Sequence, residues 1–272
     1  MIGWKPSTLM VRILSAFVIL AFVIGLVLAG LYGVYALVLI IGGLALWEFK
    51  GLSDNMGSRA PGWLLYPLGV FFAFSGTVLK EIPVTLVLSL ALVGGLGAFL
   101  VLPGRRQGLS RWAMGLSGAL YIGMPFNYYL LLYTSRPNGL VWTLFTIFAV
   151  VASDAAGLLV GSRIGRHPFF VSFSPRKTVE GAIAGVVGAV LVMLIGVSGV
   201  LGLSPLHAVV LGVLAGTSAL VGDLVESQMK RIAEVKDSSH LIPGHGGVLD
   251  RIDSILFPPI LVFFYVTVFN LL

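Results

Sequence analysis

Apolar residues dominate this chain in long runs broken by short polar clusters, and the rhythm of those breaks predicts its elements. Nine apolar segments can be placed, near Ile13–Ala29, Val34–Trp47, Trp63–Leu79, Pro83–Leu102, Trp112–Tyr133, Leu140–Gly161, Val179–Leu201, Pro205–Met229 and Ile252–Leu272. Most approach the roughly 20 residues that a helix needs to cross a bilayer. The first two are fused in one uncharged block between Arg12 and Glu48, too long for one helix, with Gly30 and Gly33 offering the turn. Segment two is short, which leaves a re-entrant hairpin open beside a full span. Lys5 and Arg12 ahead of segment one imitate a signal peptide, but the equally apolar partner that follows favours a retained first helix. Pro258-Pro259 interrupts segment nine and predicts a kink.

Composition agrees: 58% of the 272 residues are hydrophobic and the mean hydropathy is +1.03. The expected fold is therefore all-α, a polytopic integral membrane helical bundle of about nine transmembrane helices. If sides alternate from the N-terminus, fifteen Lys and Arg fall on one side and two, Lys80 and Arg136, on the other. That bias puts the N-terminus in the cytoplasm and the C-terminus opposite. It also explains the net charge of +6 without nucleic acid. The absence of cysteine excludes disulfides, thiolate zinc sites and cysteine nucleophiles. We divide the chain into residues 1–137 (segments one to five), a scaffold for lipid or dimer contacts, and residues 138–272 (segments six to nine). The second part carries cytoplasmic loops 162–178 and 230–251.

Charge is scarce, at 10% of residues, so where it collects is informative. Asp154 falls inside segment six, and Asp223 and Glu226 inside segment eight. A carboxylate at bilayer depth costs about 2.5–3.5 kcal/mol, so each should face protein, water or a cation. Helical spacing aligns Asp154 with Gly157, Gly161 and Gly165, and Asp223 with Ala219, Ala215 and Gly212. Small residues let helix backbones approach, so both acids should point into the bundle. The same faces would also permit homodimer contacts. A packing face with a hydrogen-bonded acid is the plainer reading of Asp154.

Two loops adjoin these acids. In the first, Ser174 as N-cap, Pro175 at the first helical position and Glu180 predict the start of segment seven. That helix start, with Arg176 and Lys177, makes an anion site. In the second, Ser227–Asp253 packs Lys230, Arg231, Lys236, Asp237, His245, Gly246, Gly247, Asp250, Arg251 and Asp253 into 27 residues. Ser227 and Lys230 continue the Asp223 face. Pro243-Gly244-His245-Gly246-Gly247 forces a turn whose amides suit close phosphate contact. Asp223 and Asp250 could supply hard oxygens to Mg²⁺, which keeps waters and phosphates in its shell. A second cation would suit displacement at phosphorus.

At these residues the chain resembles the phosphatidate cytidylyltransferases, or CDP-diacylglycerol synthases. Ser227-x-x-Lys230-Arg231, Lys236-Asp237, Pro243-x-His245-Gly246-Gly247 and Asp250-Arg251-x-Asp253 follow that family's signature without departure. Ser174-Pro175-x-Lys177-Thr178-x-Glu180-Gly181 follows a second element. The Asp154 segment follows a third, with Gly157-Leu158 where members often carry Ala-Tyr, so no tyrosine role carries over. The resemblance implies a Mg²⁺-dependent reaction of CTP with phosphatidic acid at the cytoplasmic face of a bacterial membrane, giving CDP-diacylglycerol and pyrophosphate. The roles expected are Asp223 and Asp250 on the metal, with Asp154 an added ligand or an orienting acid. Ser174, Arg176 and Lys177 would meet CTP phosphates. Lys230, Arg231, Lys236, His245, Gly246, Gly247 and Arg251 would meet triphosphate, lipid phosphate or pyrophosphate. Ser227, Glu226, Asp237 and Asp253 would brace them. The rivals are a CTP-dependent polyprenol or phytol kinase and, in another class, an ion-coupled transporter using Asp154 and Asp223. No internal symmetry supports the transporter, and the Asp-Gly-x-x-Ala-Arg element of CDP-alcohol phosphotransferases is absent.

Overall fold

A computed structural model describes residues 17–18, 21–101, 105–168, 170, 174, 176–244 and 246–272. Its regular elements are helices: α1 (Leu31–Asn55), α2 (Gly62–Phe74), α3 (Val84–Val101), α4 (Arg105–Thr134), α5 (Gly139–Ile164), α6 (Val179–Met193), α7 (Pro205–Ile232), α8 (Leu249–Leu256) and α9 (Pro258–Val268). Residues 21–28 are helical as well. Among the described residues each apolar segment thus falls mainly on helix, the only open-ended structure that pairs every backbone group internally in lipid. By length and composition, five spans among the described residues are able to cross a membrane: Leu31–Asn55, Gly139–Ile164, Val179–Val200, Pro205–Ile232 and Leu249–Val268.

Local chemistry sets the joints. Gly30 turns the chain at φ +77°, and a Cβ on Gly33 would lie 1.9 Å from the Leu26 carbonyl oxygen, so the expected turn is built on both glycines. Segment two is not a short hairpin: α1 runs 25 residues, past Trp47 to Asn55, and takes in the buried Glu48 and a Lys50–Asp54 ion pair of 2.8 Å. Segment seven leaves α-geometry at Leu194 and finishes as a π-helix to Val200. Segment nine breaks at Phe257. Pro259 has no N–H for the carbonyl of Ile255 four residues back, and the Tyr129 hydroxyl on α4 donates to it at 3.0 Å instead.

Helix α6 is clasped between α5 and α7, which decides where the acids go. On one side a Cβ on Gly181 would lie 2.8 Å from the Gly157 carbonyl oxygen and 3.2 Å from Gly161 Cα. On the other, a Cβ on Gly212 would lie 2.4 Å from Val190 Cα, and one on Gly216 2.9 Å from Val186 Cα. The small-residue faces that align with Asp154 and Asp223 are therefore spent inside one chain, as close backbone contacts.

Two apolar cores result. One gathers Leu132, Trp142, Ala149, Met193, Leu211 and Val262. The other gathers α1, α2 and α4 residues such as Leu46, Phe49, Leu65, Phe72 and Ile122, and also takes in Ala233, Leu249, Ile252 and Leu256. The helix that follows the Gly-rich loop is thus packed into the N-terminal half.

Candidate active site

The clasp around α6 opens a cavity of about 620 Å³, with Ser153, Asp154, Gly157, Lys177 and Asp223 among its lining. Ser174 and Arg176 also line it. Lys177 Nζ pairs with Asp223 Oδ2 at 2.6 Å, and the other Asp223 oxygen accepts from the Ser227 hydroxyl at 3.2 Å. The Lys177 ammonium is buried yet makes no aligned hydrogen bond among the described residues, so its protons are available to an anion in the cavity. Ser254, at the broken span, turns its hydroxyl to Asp253 Oδ1 at 3.4 Å.

The start of α6 is cut differently from the expected one. Thr178, not Ser174, is the N-cap: its Oγ1 accepts from the Gly181 amide at 3.2 Å. Thr178 is held extended (φ −123°, ψ 155°), and the Val179 amide donates to the His167 carbonyl at 3.0 Å, which delays the helix. Glu180 Oε2 accepts from the amides of Arg166 and His167, tying this start to the end of α5. Lys177 is thus the residue just before the cap, its ammonium reaching across to Asp223 on α7.

Along α7, Asp223, Glu226, Ser227 and Lys230 follow one stripe. Glu226 is fully buried, and Lys230 Nζ contacts it and also reaches Asp250 Oδ1 at 2.7 Å. Asp250 Oδ2 accepts from the Ser238 amide and hydroxyl, each at 2.9 Å, and from the Gly247 amide at 2.8 Å. Both Asp250 oxygens are occupied within the loop. The Gly247 amide, expected to face phosphate, is turned onto Asp250. Asp223 and Asp250 therefore serve two different clusters, one in the inter-helix cavity and one in the loop.

Beyond Asp250 the loop encloses a second space, of about 590 Å³, whose lining includes Lys236, Asp237, His240, Gly246 and Arg251. Gly244 and Gly246 bend it at φ +75° and +85°. Arg231 lies on the exposed last turn of α7. Asp253 is buried, its Oδ1 accepting from the Ser254 amide at 2.8 Å. His245 lies outside the described residues, as do Pro175, Lys5 and Arg12.

Sequence reasoning missed Glu48, Ser238 and Ser239. Glu48 is 1% exposed and its carboxylate accepts from the Ser239 hydroxyl and the Val248 and Leu249 amides, with the Ser238 hydroxyl at 3.1 Å. Its only signal in the sequence is an acid closing an otherwise uncharged apolar block. Among the described residues no group of three or more His, Asp or Glu stands ready for a metal. Asp154 and Asp223 in one cavity are two hard-oxygen donors, which suits a magnesium ion that takes the rest of its shell from phosphates and water.

A family model described as the cytidylyltransferase family matches residues 10–269. The phosphatidate cytidylyltransferase of Bacillus subtilis is 34% identical over 153 residues, 56% of this chain and 57% of its own length. That of Synechocystis is 44% identical over 137 residues, 48% of this chain and 44% of its own. That of Mycobacterium bovis is 41% identical over 119 residues, 44% of this chain and 39% of its own. These alignments span about half the length of the relatives. With the family model spanning all but the ends, the chain belongs to the cytidylyltransferase family.

Proposed function

We propose that this protein is a phosphatidate cytidylyltransferase, joining CTP and phosphatidic acid into CDP-diacylglycerol with release of pyrophosphate. The observation that carries the reading is the buried Lys177 ammonium, paired with Asp223 in a cavity walled by apolar helices. A lipid phosphate arriving between helices needs such a cation, because a charge unpaired in lipid is expensive. Stripe Asp223–Lys230 then leads from that cavity to the polar loop, where a soluble nucleotide would sit. The names of the three relatives support the same substrates.

In this reading a phosphatidate oxygen attacks the α-phosphorus of CTP. A new P–O bond forms while the bond from the α-phosphorus to the bridging oxygen breaks, and pyrophosphate leaves with the electron pair. The nucleophile is already anionic, so catalysis rests on alignment and charge neutralisation. Lys177, with Ser174 and Arg176, holds phosphate where the substrates meet. Lys236 and Arg251 hold the outer phosphates of the nucleotide, and Lys230, fixed between Glu226 and Asp250, sets the loop at the end of α7. Asp223 with Asp154 would hold Mg²⁺, which supplies Lewis-acid neutralisation of phosphate charge. Asp250, which meets Lys230, Ser238 and Gly247, organises the loop. The fifteen-to-two distribution of Lys and Arg supports a loop facing the cytoplasm of a bacterial inner membrane.

Purified protein in mixed micelles with CTP, Mg²⁺ and phosphatidic acid should release pyrophosphate and form a CDP-lipid in equal amounts. Release of CDP with an alcohol substrate would replace this reading with the lipid kinase. No turnover of either kind would sink both.

A further inference from the structure

Glu48 is placed by α1, about 190 residues from the loop it holds. Val248 N donates to Oε1 at 2.8 Å and Leu249 N to Oε2 at 2.6 Å, so the carboxylate closes the N-terminus of α8 from another part of the chain. The Ser239 hydroxyl donates to Oε1 at 2.6 Å and the Ser238 hydroxyl approaches Oε2 at 3.1 Å. Both ends of the loop that lines the polar space are therefore fixed to one side chain. Ser238 is also a donor to Asp250, so the Glu48 and Asp250 clusters are continuous. A Cβ on Gly247 would lie 2.6 Å from Glu48 Oε1 and 2.0 Å from Ser238 Oγ. That glycine is required by the approach of Glu48.

Resting on the proposed reaction, we infer that Glu48 is a positioning residue for nucleotidyl transfer. It acts through the loop: it fixes Ser238, Ser239, Val248 and Leu249 so that Asp250 meets Lys230, and Lys236 and Arg251 keep their place around the nucleotide phosphates. The N-terminal half thereby contributes a carboxylate to the organisation of the site while touching no substrate.

The test compares Glu48→Gln with wild type at equal amounts of folded protein. The substitution keeps the size but replaces one acceptor oxygen with an NH₂ that opposes loop donors. The KM for CTP should rise at least 10-fold with the KM for phosphatidic acid within 2-fold, and amides of residues 238–249 should exchange hydrogen faster while those of α2 and α4 keep their rates. Ser239→Ala, which removes one hydroxyl donor and leaves the carboxylate in place, should raise the KM for CTP 2- to 5-fold. Combined with Glu48→Gln it should add less than that factor. Unchanged loop exchange in Glu48→Gln overturns the inference. So does a loss of turnover with both KM values unchanged, which marks a stability role alone. The exchange measurement needs no substrate, so it decides the anchoring even if wild-type protein forms no CDP-lipid, a result that would sink the proposed reaction instead.

Discussion

Replacing Gly212 with alanine tests whether the α5–α6–α7 clasp sets the cavity. The added Cβ would lie 2.4 Å from Val190 Cα and 2.8 Å from its amide nitrogen, whereas ordinary contact begins near 3.4 Å. The obstacle is backbone, so no rotamer change relieves it, and α6 must move from α7 by about 1 Å. Overpacking of this kind costs about 1–3 kcal/mol. The better helix propensity of alanine returns about 1 kcal/mol, leaving a net loss of up to about 2 kcal/mol. Because Lys177 enters at the start of α6 and Asp223 sits on α7, the same movement lengthens their 2.6 Å contact. A misplacement of about 1 Å costs on the order of 10²-fold in rate. Gly43→Ala is the control: nothing lies within 4 Å of its Cβ, and it should unfold at or slightly above the wild-type temperature. Thermal unfolding in one detergent and CDP-lipid formation at saturating substrate read the two effects. A Gly212→Ala protein with the wild-type midpoint and turnover would refute the clasp.

Tyr129→Phe should destabilise by about 1–2 kcal/mol in the same unfolding assay, because the Ile255 carbonyl loses the donor that stands in for Pro259. Adding Pro259→Ala should recover part of that loss by restoring an N–H; no recovery would contradict the assignment. Thr178→Ala should lower stability by about 1 kcal/mol, whereas Ser174→Ala should leave the midpoint unchanged, since Thr178 is the cap. Asp223→Asn should cut turnover at least 100-fold and raise the Mg²⁺ concentration for half-maximal activity. Asp250→Asn should lose activity with little change in that concentration; the reverse pattern would move the metal to Asp250.

The segments and the inward direction of Asp223 were legible because both follow helical periodicity, whereas Asp154 lines the same cavity from an exposed position. Apolar runs give the spans, and Gly157, Gly161 and Gly212 at helical spacing give the faces, which the close approaches to Gly181 and Val190 bear out. The start of α6 misled because Ser174-Pro175 is a strong local cap signal. The Val179–His167 hydrogen bond and the extended Thr178 are tertiary, and they outweigh it. For Asp250 a sequence shows the charge and not the four donors that meet it. Two of those are Ser238 groups twelve residues earlier. Glu48 and Tyr129 were silent for a common reason: their partners lie 190–201 and 126 residues away. Each nevertheless answers a need visible in the chain. An acid at the end of an apolar block requires donors, and a carbonyl four residues before proline requires one too.

Those two contacts bear on how the proposed reaction would bring a lipid headgroup to a soluble nucleotide. The broken ninth segment places Asp253 and Ser254 beside α7, where a Cβ on Gly222 would lie 2.3 Å from the Asp253 carbonyl oxygen. A straight helix through Phe257 would have no unpaired Ile255 carbonyl to engage Tyr129, and nothing else on α4 replaces that hydrogen bond among the described residues. Tyr129 therefore ties the break to the N-terminal bundle from below, as Glu48 ties the loop above it. Helix α8 is only eight residues long, too short to hold its place by propensity alone. With its start closed by Glu48, its apolar side in the N-terminal core and its end met by Tyr129, it becomes a fixed wall opposite α7. The stripe from Asp223 to Lys230, about 10 Å of helix at 1.5 Å per residue, then has a rigid partner along its length. Segments one to five, which the motifs leave almost unmarked, supply that rigidity.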